Sequence, residues 1–326
     1  MKALLAQNNS WILSSEPFGA AQKVNGDNIR IKIMLAGLCR TDIMAMQGKI
    51  PLPNGRVLGH EGAGIVDFIP ASQKSLATQK GIFEGTRVAL FPFIPCAPCA
   101  ASGNLETCHE SKALGIDIDG LFAPYVHVPL SAVFKAPPRV SWKHLAYAEP
   151  VAAAMAVTKI HELKKPRVAI LGSGRIALLT QQVLGAFRDD DVPVFSDSIP
   201  EDNWDCFVET RASSSLLKEA CLRLRPGGLL VVKSRPQEPV EWPHALVTMR
   251  SLRISGASYG SFTQGLQWMS MNKINVAEAL GQVFDWSEHG IESALLEEKN
   301  SSEKSGKLFF NIGGLSDEEI NSVVSQ

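Results

Sequence analysis

Three residues on two nearby segments carry the side chains that a catalytic metal needs. Cys39 lies in GLCRTD at residues 37–42, and His60 and Glu61 lie in LGHEGAG at residues 58–64. Zinc binds sulfur, nitrogen and oxygen ligands of this kind, and a catalytic site uses three protein ligands and leaves one position for water or substrate. A lone cysteine is more often a small buried hydrophobe. The combination, which precedes a dinucleotide fingerprint, favours zinc at Cys39 and His60.

A second group of cysteines lies further along the chain, in CAPCAASGNLETC at residues 96–108. Its members are Cys96, Cys99 and Cys108. If thiols stay reduced, as they do in the cytoplasm, metal binding explains the group better than disulfides do. A structural zinc prefers four closed ligands, so three thiolates would need help from His109, Glu106 or Glu110. The alternative is a loop with three reduced cysteines and no metal.

The clearest local pattern is a glycine turn between a strand and a helix. The apolar run Val168 to Leu171 leads into Gly172, and Ala177 occupies the third position of a G-x-G-x-x-A fingerprint. Gly172 allows the tight turn, Gly174 lets a pyrophosphate approach the backbone, and Ala177 lets helix and strand pack closely. Phosphate would then lie on the helix N-terminus. The expected cofactor-binding residues of this turn are Gly172, Ser173, Gly174, Arg175 and Ile176.

An aspartate follows the next predicted strand. The strand VPVFSD ends in Asp197, twenty-five residues after Gly172, about where a carboxylate accepts hydrogen bonds from an adenosine ribose. Such a carboxylate would repel a 2′-phosphate, so we expect NAD, with NADP less favoured. The other interpretation of Asp197 is a solvated turn residue, since aspartate is common in turns.

The elements that position these residues divide the chain into two halves. Short apolar runs broken by Gly and Pro predict a mostly β domain over residues 1–150, completed by 271–326, which contains the strand-like KLFFNI at 307–312. Residues 148–161 predict a buried helix. Strand, glycine turn and helix then alternate through 151–270, which predicts an α/β domain with a parallel sheet.

The predicted α/β domain lacks at least one βα unit. Only SIPEDNW separates the strand that ends at Asp197 from the next strand, DCFVET at 205–210. A crossover helix needs about ten residues or more. We therefore expect a sheet that lacks at least one βα unit and covers less of the adenine end of a dinucleotide.

Composition excludes several classes of protein. The chain has 326 residues, of which 45% are hydrophobic, so it is long enough for two packed cores. Its formal net charge of -1, without a block of Lys and Arg, argues against nucleic acid and acidic membranes as partners. No secretion signal or apolar run of membrane-spanning length is visible. We expect a cytoplasmic protein with a small-molecule partner.

Taken in order, these motifs resemble the zinc-dependent medium-chain alcohol dehydrogenases, closest to the polyol and threonine dehydrogenase branch. The resemblance spans essentially the whole chain. It rests on GLCRTD, GHEGAG, GTRV at 85–88, the cysteine group, DGLFAPYVHVP at 119–129, AEP at 148–150 and GSGRIA. It implies a GroES-like β catalytic domain, a Rossmann-type doubly wound coenzyme domain, and a homodimer or homotetramer joined through the coenzyme domains at the strand LRISGASY, residues 252–259.

The resemblance also implies roles for single residues. Cys39 and His60 would be zinc ligands, and Glu61 would be a third ligand or an adjacent carboxylate. Glu149 would ligate the zinc directly or through water. Thr41 would pass on the proton of the alcohol. The carboxylate of Asp42 would orient the ligand histidine, and Arg40 would contact the pyrophosphate of the coenzyme.

The chain departs from the family pattern at two places. Relatives with a CGTD string carry a proton-relay histidine two residues after the aspartate, where this chain has Met44. The structural zinc lobe of the family has four cysteines, and Ser102 falls where spacing would put the third. In relatives, basic residues near the position of Lys307 approach the pyrophosphate. In this chain we interpret Lys307 as a solvated charge.

These observations predict a zinc oxidoreductase that transfers hydride between NAD(H) and a secondary alcohol, such as a polyol, sugar or amino alcohol, or its ketone. Zinc would lower the pKa of the alcohol, and the nicotinamide would take the hydride. The alternative is a relative that keeps the fold with little redox turnover and binds a metal or ligand.

Overall fold

The structure is a computed structural model that describes residues 2–14, 26–102, 108–236, 238–300 and 305–322. The chain divides into two compact units. The first consists of Met1–Glu149, Ala277–Ser301 and Gly306–Gln326, and the second of Pro150–Val276 and Ser302–Ser305. None of the described helices has the length and apolar composition required to cross a bilayer.

The strands, in chain order, are β1 Leu4–Gln7, β2 Ser10–Leu13, β3 Ile29–Gly37, β4 Glu61–Phe68, β5 Arg87–Leu90, β6 Phe93–Ile94, β7 Lys112–Ala113, β8 Tyr125–Val128, β9 Val133–Lys135, β10 Val168–Leu171, β11 Val194–Phe195, β12 Trp204–Glu209, β13 Leu224–Val232, β14 Arg253–Gly256, β15 Leu280–Asp285 and β16 Lys307–Asn311.

The α-helices are α1 Arg40–Met46, α2 Lys74–Gln79, α3 Ala97–Ser102, α4 Trp142–Ala146, α5 Ala148–Met155, α6 Gly174–Arg188, α7 Ser214–Arg223, α8 His244–Met249, α9 Phe262–Ser270, α10 Glu288–Asn300 and α11 Asp317–Asn321. Short 3₁₀ turns cover Ala71–Gln73, Leu130–Ala132, Ala156–Lys159, His161–Lys164 and Ala277–Ala279.

The first unit is built on one large sheet with the order β15-β16-β3-β4-β5-β9, in which β8 also pairs with β3. β3 alternates buried and half-buried residues before it becomes fully buried toward its end. That pattern is typical of a strand that leaves the rim of a sheet and enters the core. β16 comes from the C-terminal part of the chain and pairs antiparallel with β3. The sheet therefore brings residues near 308 beside residues near 37.

The second unit has a parallel sheet with the order β11-β10-β12-β13-β14. Leu171 on β10 pairs with Phe195 on one side and with Glu209 on the other, and Glu209 pairs with Val232. The carboxyl ends of these strands are therefore level at one edge. In open parallel sheets, ligands bind beyond that edge.

The connection between β11 and β12 contains no helix, and all of its residues are described. β11 is a strand of two residues at the edge of the sheet. The loss of a βα unit relative to other proteins of this architecture stays a prediction.

The helix predicted over residues 148–161 is shorter than expected. α5 ends at Met155 and two 3₁₀ turns follow. The backbone of Gly260 donates to the carbonyl of Ala152 at 2.7 Å, and a Cβ on Gly260 would lie 2.3 Å from the carbonyl carbon of Met155. Because this outside donor takes the carbonyl that Ala156 would use, the α-helical ladder stops there.

Candidate functional site

The candidate metal ligands of the first unit lie at the ends of two paired strands. β3 ends at Gly37, and β4 begins at Glu61, which is the direct cross-strand partner of Gly37. Cys39 follows β3 as the residue before helix α1, and His60 immediately precedes β4. The register of one strand pair therefore brings together residues that are about twenty positions apart in the chain.

The side chains of Cys39, His60 and Glu61 lie close together. The sulfur of Cys39, a ring nitrogen of His60 and a carboxylate oxygen of Glu61 lie within 4.8 Å of one another. Sulfur, nitrogen and oxygen donors at this spacing fit a zinc ion, which binds at about 2.0–2.3 Å from each ligand. Glu61 is buried, and its Oε2 has no hydrogen-bond partner among the described residues. A buried, unsatisfied carboxylate oxygen is the kind of atom that a cation would satisfy.

Asp42 contacts both candidate ligands, Cys39 and His60. It is buried, and its carboxylate accepts a hydrogen bond from the backbone N–H of Cys39 at 2.9 Å and lies 3.1 Å from Nδ1 of His60. Because an ionised carboxylate only accepts, this contact assigns the proton of a neutral His60 to Nδ1 and leaves Nε2 for a metal.

The electrostatics of this pocket favour a cation. Burial of the ring lowers the pKa of His60, but the charges and hydrogen bonds of Asp42 and Cys39 raise it, and the pKa lies well above its ordinary value of 6.5. The negative potential that stabilises an imidazolium here would equally stabilise a metal ion bound to the neutral ring.

Helix α1 carries the other residues predicted around the metal. Thr41 Oγ1 lies 3.9 Å from the sulfur of Cys39, so a hydroxyl stands next to the candidate ligand. Arg40 is exposed at the first residue of the helix, and Met44 is half-buried two residues beyond Asp42. Its thioether has no exchangeable proton.

Lys307 corrects an expectation from the sequence. It is buried rather than solvated, and its Nζ donates to Oε1 of Glu61 at 2.6 Å. β16 and β4 lie on either side of β3, and the two side chains meet over Gly37, where a Cβ would come within 2.9 Å of Glu61 Oε2 and 3.0 Å of Lys307 Cε. A charge that looked like a surface lysine is therefore the partner of a candidate ligand.

Glu149 does not join this group. It is buried as the second residue of α5. Among the described residues, the groups with metal-ligand spacing are the one at Cys39 and the one at Cys96, and neither includes Glu149. Its predicted role beside the zinc stays a prediction.

The second group comprises the three thiols predicted from the sequence. The sulfurs of Cys96, Cys99 and Cys108 lie within 4.8 Å of one another, and those of Cys96 and Cys108 are 3.5 Å apart. Hydrogen bonds with Cys96 and Cys108 raise the pKa of Cys99 to about 12. The three thiols therefore interact with one another.

No fourth ligand is visible in the described part of this lobe. His109 and Glu110 are exposed and do not belong to the group, and Glu106 lies outside the described residues. Ser102 ends helix α3 one turn after Cys99, and its hydroxyl donates to the carbonyl of Cys99 at 3.2 Å. The described residues do not supply the four protein ligands of a closed structural site.

The second unit carries the glycine turn. Gly172 follows β10 with φ +134°, and a Cβ there would lie 2.3 Å from Thr210 Oγ1. Gly174 opens helix α6 with φ +80°, and Ala177 is fully buried. The positive φ angles of Gly172 and Gly174 favour glycine at both positions, which agrees with the backbone turn that the G-x-G-x-x-A fingerprint predicts. Helix α6 has fifteen residues, and the side chain of its N-cap residue, Ser173, makes no capping hydrogen bond. Its N-terminus therefore fits a phosphate.

The remaining predicted cofactor residues surround this turn. Arg175 and Ile176 lie in the first turn of α6, and the guanidinium of Arg175 donates to the carbonyl of Ser305 at 2.8 Å. Asp197 is exposed just beyond β11, where its carboxylate accepts from the hydroxyl of Ser196 at 2.8 Å. The sheet therefore places Asp197 and Gly172 beyond neighbouring strands at the same edge.

Sequence reasoning missed two residues at the end of β12. Glu209 is buried, and one of its oxygens has no hydrogen-bond partner in the part of the chain that the structure describes. Burial raises its pKa. Arg211 lies two residues further on and donates to the hydroxyl of Ser173 at 3.1 Å. The signal available in the sequence was their position after an apolar strand, since the ends of parallel strands meet at one edge.

Residues 25–138 match the model of the alcohol dehydrogenase GroES-like domain. An uncharacterized zinc-type alcohol dehydrogenase-like protein of Haemophilus influenzae is 22% identical over 319 residues, which cover 87% of this chain and 91% of that protein. The L-galactonate-5-dehydrogenase of Escherichia coli is 33% identical over 221 residues, which cover 64% of this chain and 62% of that protein.

The structure also resembles the crystal structure of a short chain alcohol dehydrogenase (rspB) from Escherichia coli CFT073 complexed with its cofactor NADH. The TM-score is 0.81 at 22% sequence identity, over 95% of this chain and 99% of that one. At this identity the likeness establishes the fold. With the domain match, it confirms the prediction of a GroES-like β domain and a Rossmann-type α/β domain.

Proposed function

This chain belongs to the zinc-dependent medium-chain alcohol dehydrogenase family, and from that premise we propose that it is an oxidoreductase that interconverts a secondary alcohol and its ketone. We propose a polyol, sugar or amino alcohol as the substrate class, which the relationship to L-galactonate-5-dehydrogenase supports. The observation that carries the proposal is the convergence of Cys39, His60 and Glu61 within 4.8 Å, with Asp42 behind them.

In this proposal Cys39 and His60 hold the catalytic zinc. Glu61 contributes its Oε2, the oxygen that Lys307 does not use. Glu149 contributes directly or through a water. Bound zinc supplies Lewis acidity, which lowers the pKa of an alcohol so that it loses its proton near neutral pH.

The residues of helix α1 would handle the proton. The hydroxyl of Thr41, close to Cys39, receives the proton of the alcohol, and Asp42 keeps His60 in the tautomer that presents Nε2. Met44 cannot extend this route, so ordered water or another group would carry the proton to solvent.

The cofactor in the proposal is a nicotinamide dinucleotide, which supplies the hydride acceptor or donor. Gly172, Ser173 and Gly174, followed by Arg175 and Ile176, would hold its pyrophosphate on the N-terminus of α6, and Arg40 would add a further contact. Asp197 would accept hydrogen bonds from the adenosine ribose and favour NAD over NADP, because its charge opposes a 2′-phosphate.

Metal analysis and cofactor titration test the proposal together. We expect at least one zinc per chain after dialysis against a weak chelator, lost in Cys39→Ser and retained in Cys221→Ala, which alters a buried thiol of the other unit. We expect saturable binding of NADH by fluorescence and turnover on at least one member of a panel of polyols, sugars and amino alcohols. Zinc-free protein without NADH binding would refute the proposal.

A second candidate has support from two observations. The connection from β11 to β12 contains no helix, and Met44 stands where the relatives carry a relay histidine. Both would weaken redox turnover, so the alternative is a family member that binds a metal or a ligand and turns over little. Saturable NADH binding and a full zinc content without activity across the substrate panel would favour it.

We also propose that the protein forms a homodimer or homotetramer through the strand at residues 252–259. In support, β14 is an edge strand of the parallel sheet and most of its residues are exposed. Such an edge can pair with another copy. Light scattering would show a mass of two or four chains, and Ile254→Pro, placed within the strand, would lower it to one.

A further inference from the structure

Arg211 lies directly beside the glycine turn of the second unit. Thr210 is tied to the end of β10, because its backbone N–H and its hydroxyl both donate to the carbonyl of Leu171, at 2.8 and 3.0 Å. The backbone nitrogen and Cβ of Arg211 lie 3.1 and 3.2 Å from the position that a Cβ on Gly172 would occupy. The start of the Arg211 side chain is therefore fixed against the turn.

The guanidinium of Arg211 then extends toward the helix that begins at the turn. Its Nη1 donates to the hydroxyl of Ser173 at 3.1 Å, and Ser173 is the N-cap residue of α6. The side chain of Ser173 does not cap the helix, and the first turn of α6 contains no acidic residue. A full positive charge thus lies next to the positive end of a helix, where the partial charge is about +0.5.

These two positive groups repel each other unless an anion lies between them. Arg175, in the first turn of the same helix, adds a third positive group. Positive groups at the start of a helix favour a bound anion, and a guanidinium holds two phosphate oxygens through its planar fork. The missing side chain at Gly172 is what allows Thr210 and Arg211 to approach the turn so closely.

The sheet order decides which phosphate of a dinucleotide Arg211 could reach. β10 lies between β11 and β12, so Asp197, beyond β11, and Arg211, beyond β12, are on opposite sides of Gly172. The ribose that distinguishes NAD from NADP belongs on the side of Asp197. Arg211 is therefore positioned for the pyrophosphate, which both cofactors share.

We propose that Arg211 is a cofactor-binding residue that holds the pyrophosphate of the dinucleotide onto the glycine turn from the β12 side. This inference rests on the proposed function, since it assumes a dinucleotide at the turn. It adds Arg211, which lies outside the glycine fingerprint, to the residues that bind the cofactor. It also predicts that Arg211 contributes equally to the affinity for NADH and for NADPH.

The test compares Arg211→Ala and Arg211→Lys with the wild type in calorimetric titrations of ADP-ribose, NADH, NADPH and adenosine. We expect Arg211→Ala to weaken ADP-ribose, NADH and NADPH by the same factor, about 10- to 100-fold, and to leave adenosine unchanged because it has no phosphate. Arg211→Lys should lose less, since it keeps the charge without the fork. Arg167→Ala is the matched control, because Arg167 is an exposed arginine just before β10, at the amino ends of the strands and away from the glycine turn.

Thermal unfolding of the free protein separates binding from a structural role. Without ligand, Arg211→Ala should unfold at about the same temperature as the wild type, because the Arg211 side chain is exposed. Wild-type protein that binds ADP-ribose, together with an Arg211→Ala variant that binds it equally well, would overturn this inference and leave the proposed function intact. Wild-type protein that binds neither NADH nor ADP-ribose would overturn both.

Discussion

Lys307 Nζ lies 2.6 Å from Glu61 Oε1, and the two buried side chains are 246 positions apart in the sequence. Removing one partner of a buried ion pair leaves an uncompensated charge and typically costs about 3–5 kcal/mol. We therefore expect Lys307→Met to lower the free energy of unfolding by about that amount in metal-free protein, measured by urea denaturation. The double variant Glu61→Gln with Lys307→Met should lose less, because no charge remains buried.

The same variant tests whether Glu61 contacts the metal. Bound zinc would neutralise a Glu61 that has lost its lysine, so zinc should restore part of the stability of Lys307→Met. Zinc should stabilise the double variant less, because only Cys39 and His60 of the three candidate ligands remain to bind it. Equal effects of zinc on both would exclude Glu61 from the metal site.

Asp42 contacts Cys39 and His60 at once, which makes it the residue that orients both candidate ligands. Removal of such an outer partner typically costs 10- to 100-fold in metal affinity. We expect Asp42→Asn to weaken zinc by about that factor in competition with a coloured chelator. Asp27→Asn, at an exposed aspartate of the same unit that binds Ser72, should have no effect. Unchanged affinity in Asp42→Asn would place the metal elsewhere.

The lobe of Cys96, Cys99 and Cys108 should bind zinc more weakly than a four-thiolate site. Four ligands of a structural zinc together contribute roughly 10–16 kcal/mol, so one more thiolate is a large gain. We expect Ser102→Cys, one turn of α3 after Cys99, to raise the zinc content that survives chelation and to raise the melting temperature. Ser102→Ala is the control. If the wild type keeps its lobe zinc as firmly as Ser102→Cys does, a fourth ligand is already present.

Met44 interrupts the predicted proton route. General acid–base groups contribute roughly 10²- to 10⁴-fold to rates, so a relay histidine would matter most where hydroxide is scarce. We expect Met44→His to increase kcat for alcohol oxidation near pH 7, by up to about 10²-fold, and much less near pH 9. Met44→Leu should behave as the wild type. A pH profile that Met44→His leaves unchanged would show that proton release does not limit turnover.

Glu209 should make the stability of the protein depend on pH. Burial raises its pKa above the ordinary value of 4.5, so the folded state disfavours the ionised form. Stability from this group is complete below pH 4.5 and is lost as the pH rises through the folded-state pKa. We expect Glu209→Gln to melt about 2–4 °C higher than the wild type near pH 7, the shift that about 1 kcal/mol produces.

The control for this prediction lies in the pH series itself. Near pH 4 the wild-type carboxyl is protonated and resembles the amide, so the two melting temperatures should converge. A constant difference across the pH range would mean that the substitution acts through packing rather than through charge.

Several features of this structure could be predicted from the sequence because they depend on local chemistry. The turn at Gly172 and Gly174 could be predicted because positive φ and close backbone approach require glycine whatever the rest of the chain does. Cys39, His60 and Asp42 could be predicted because their spacing matches a family pattern. Strands β10, β11 and β12 of the second unit could be predicted from apolar runs between turn residues.

Only the tertiary structure decided which distant residues meet. Lys307 looked like a solvated charge, and it became the partner of Glu61 because β16 pairs with β3 and Gly37 leaves room above it. Arg211 came to lie on Ser173 because β12 is the neighbour of β10. Strand order and register set these contacts. These contacts arise from the packing of whole elements, so they cannot be predicted from the periodicity of a single segment.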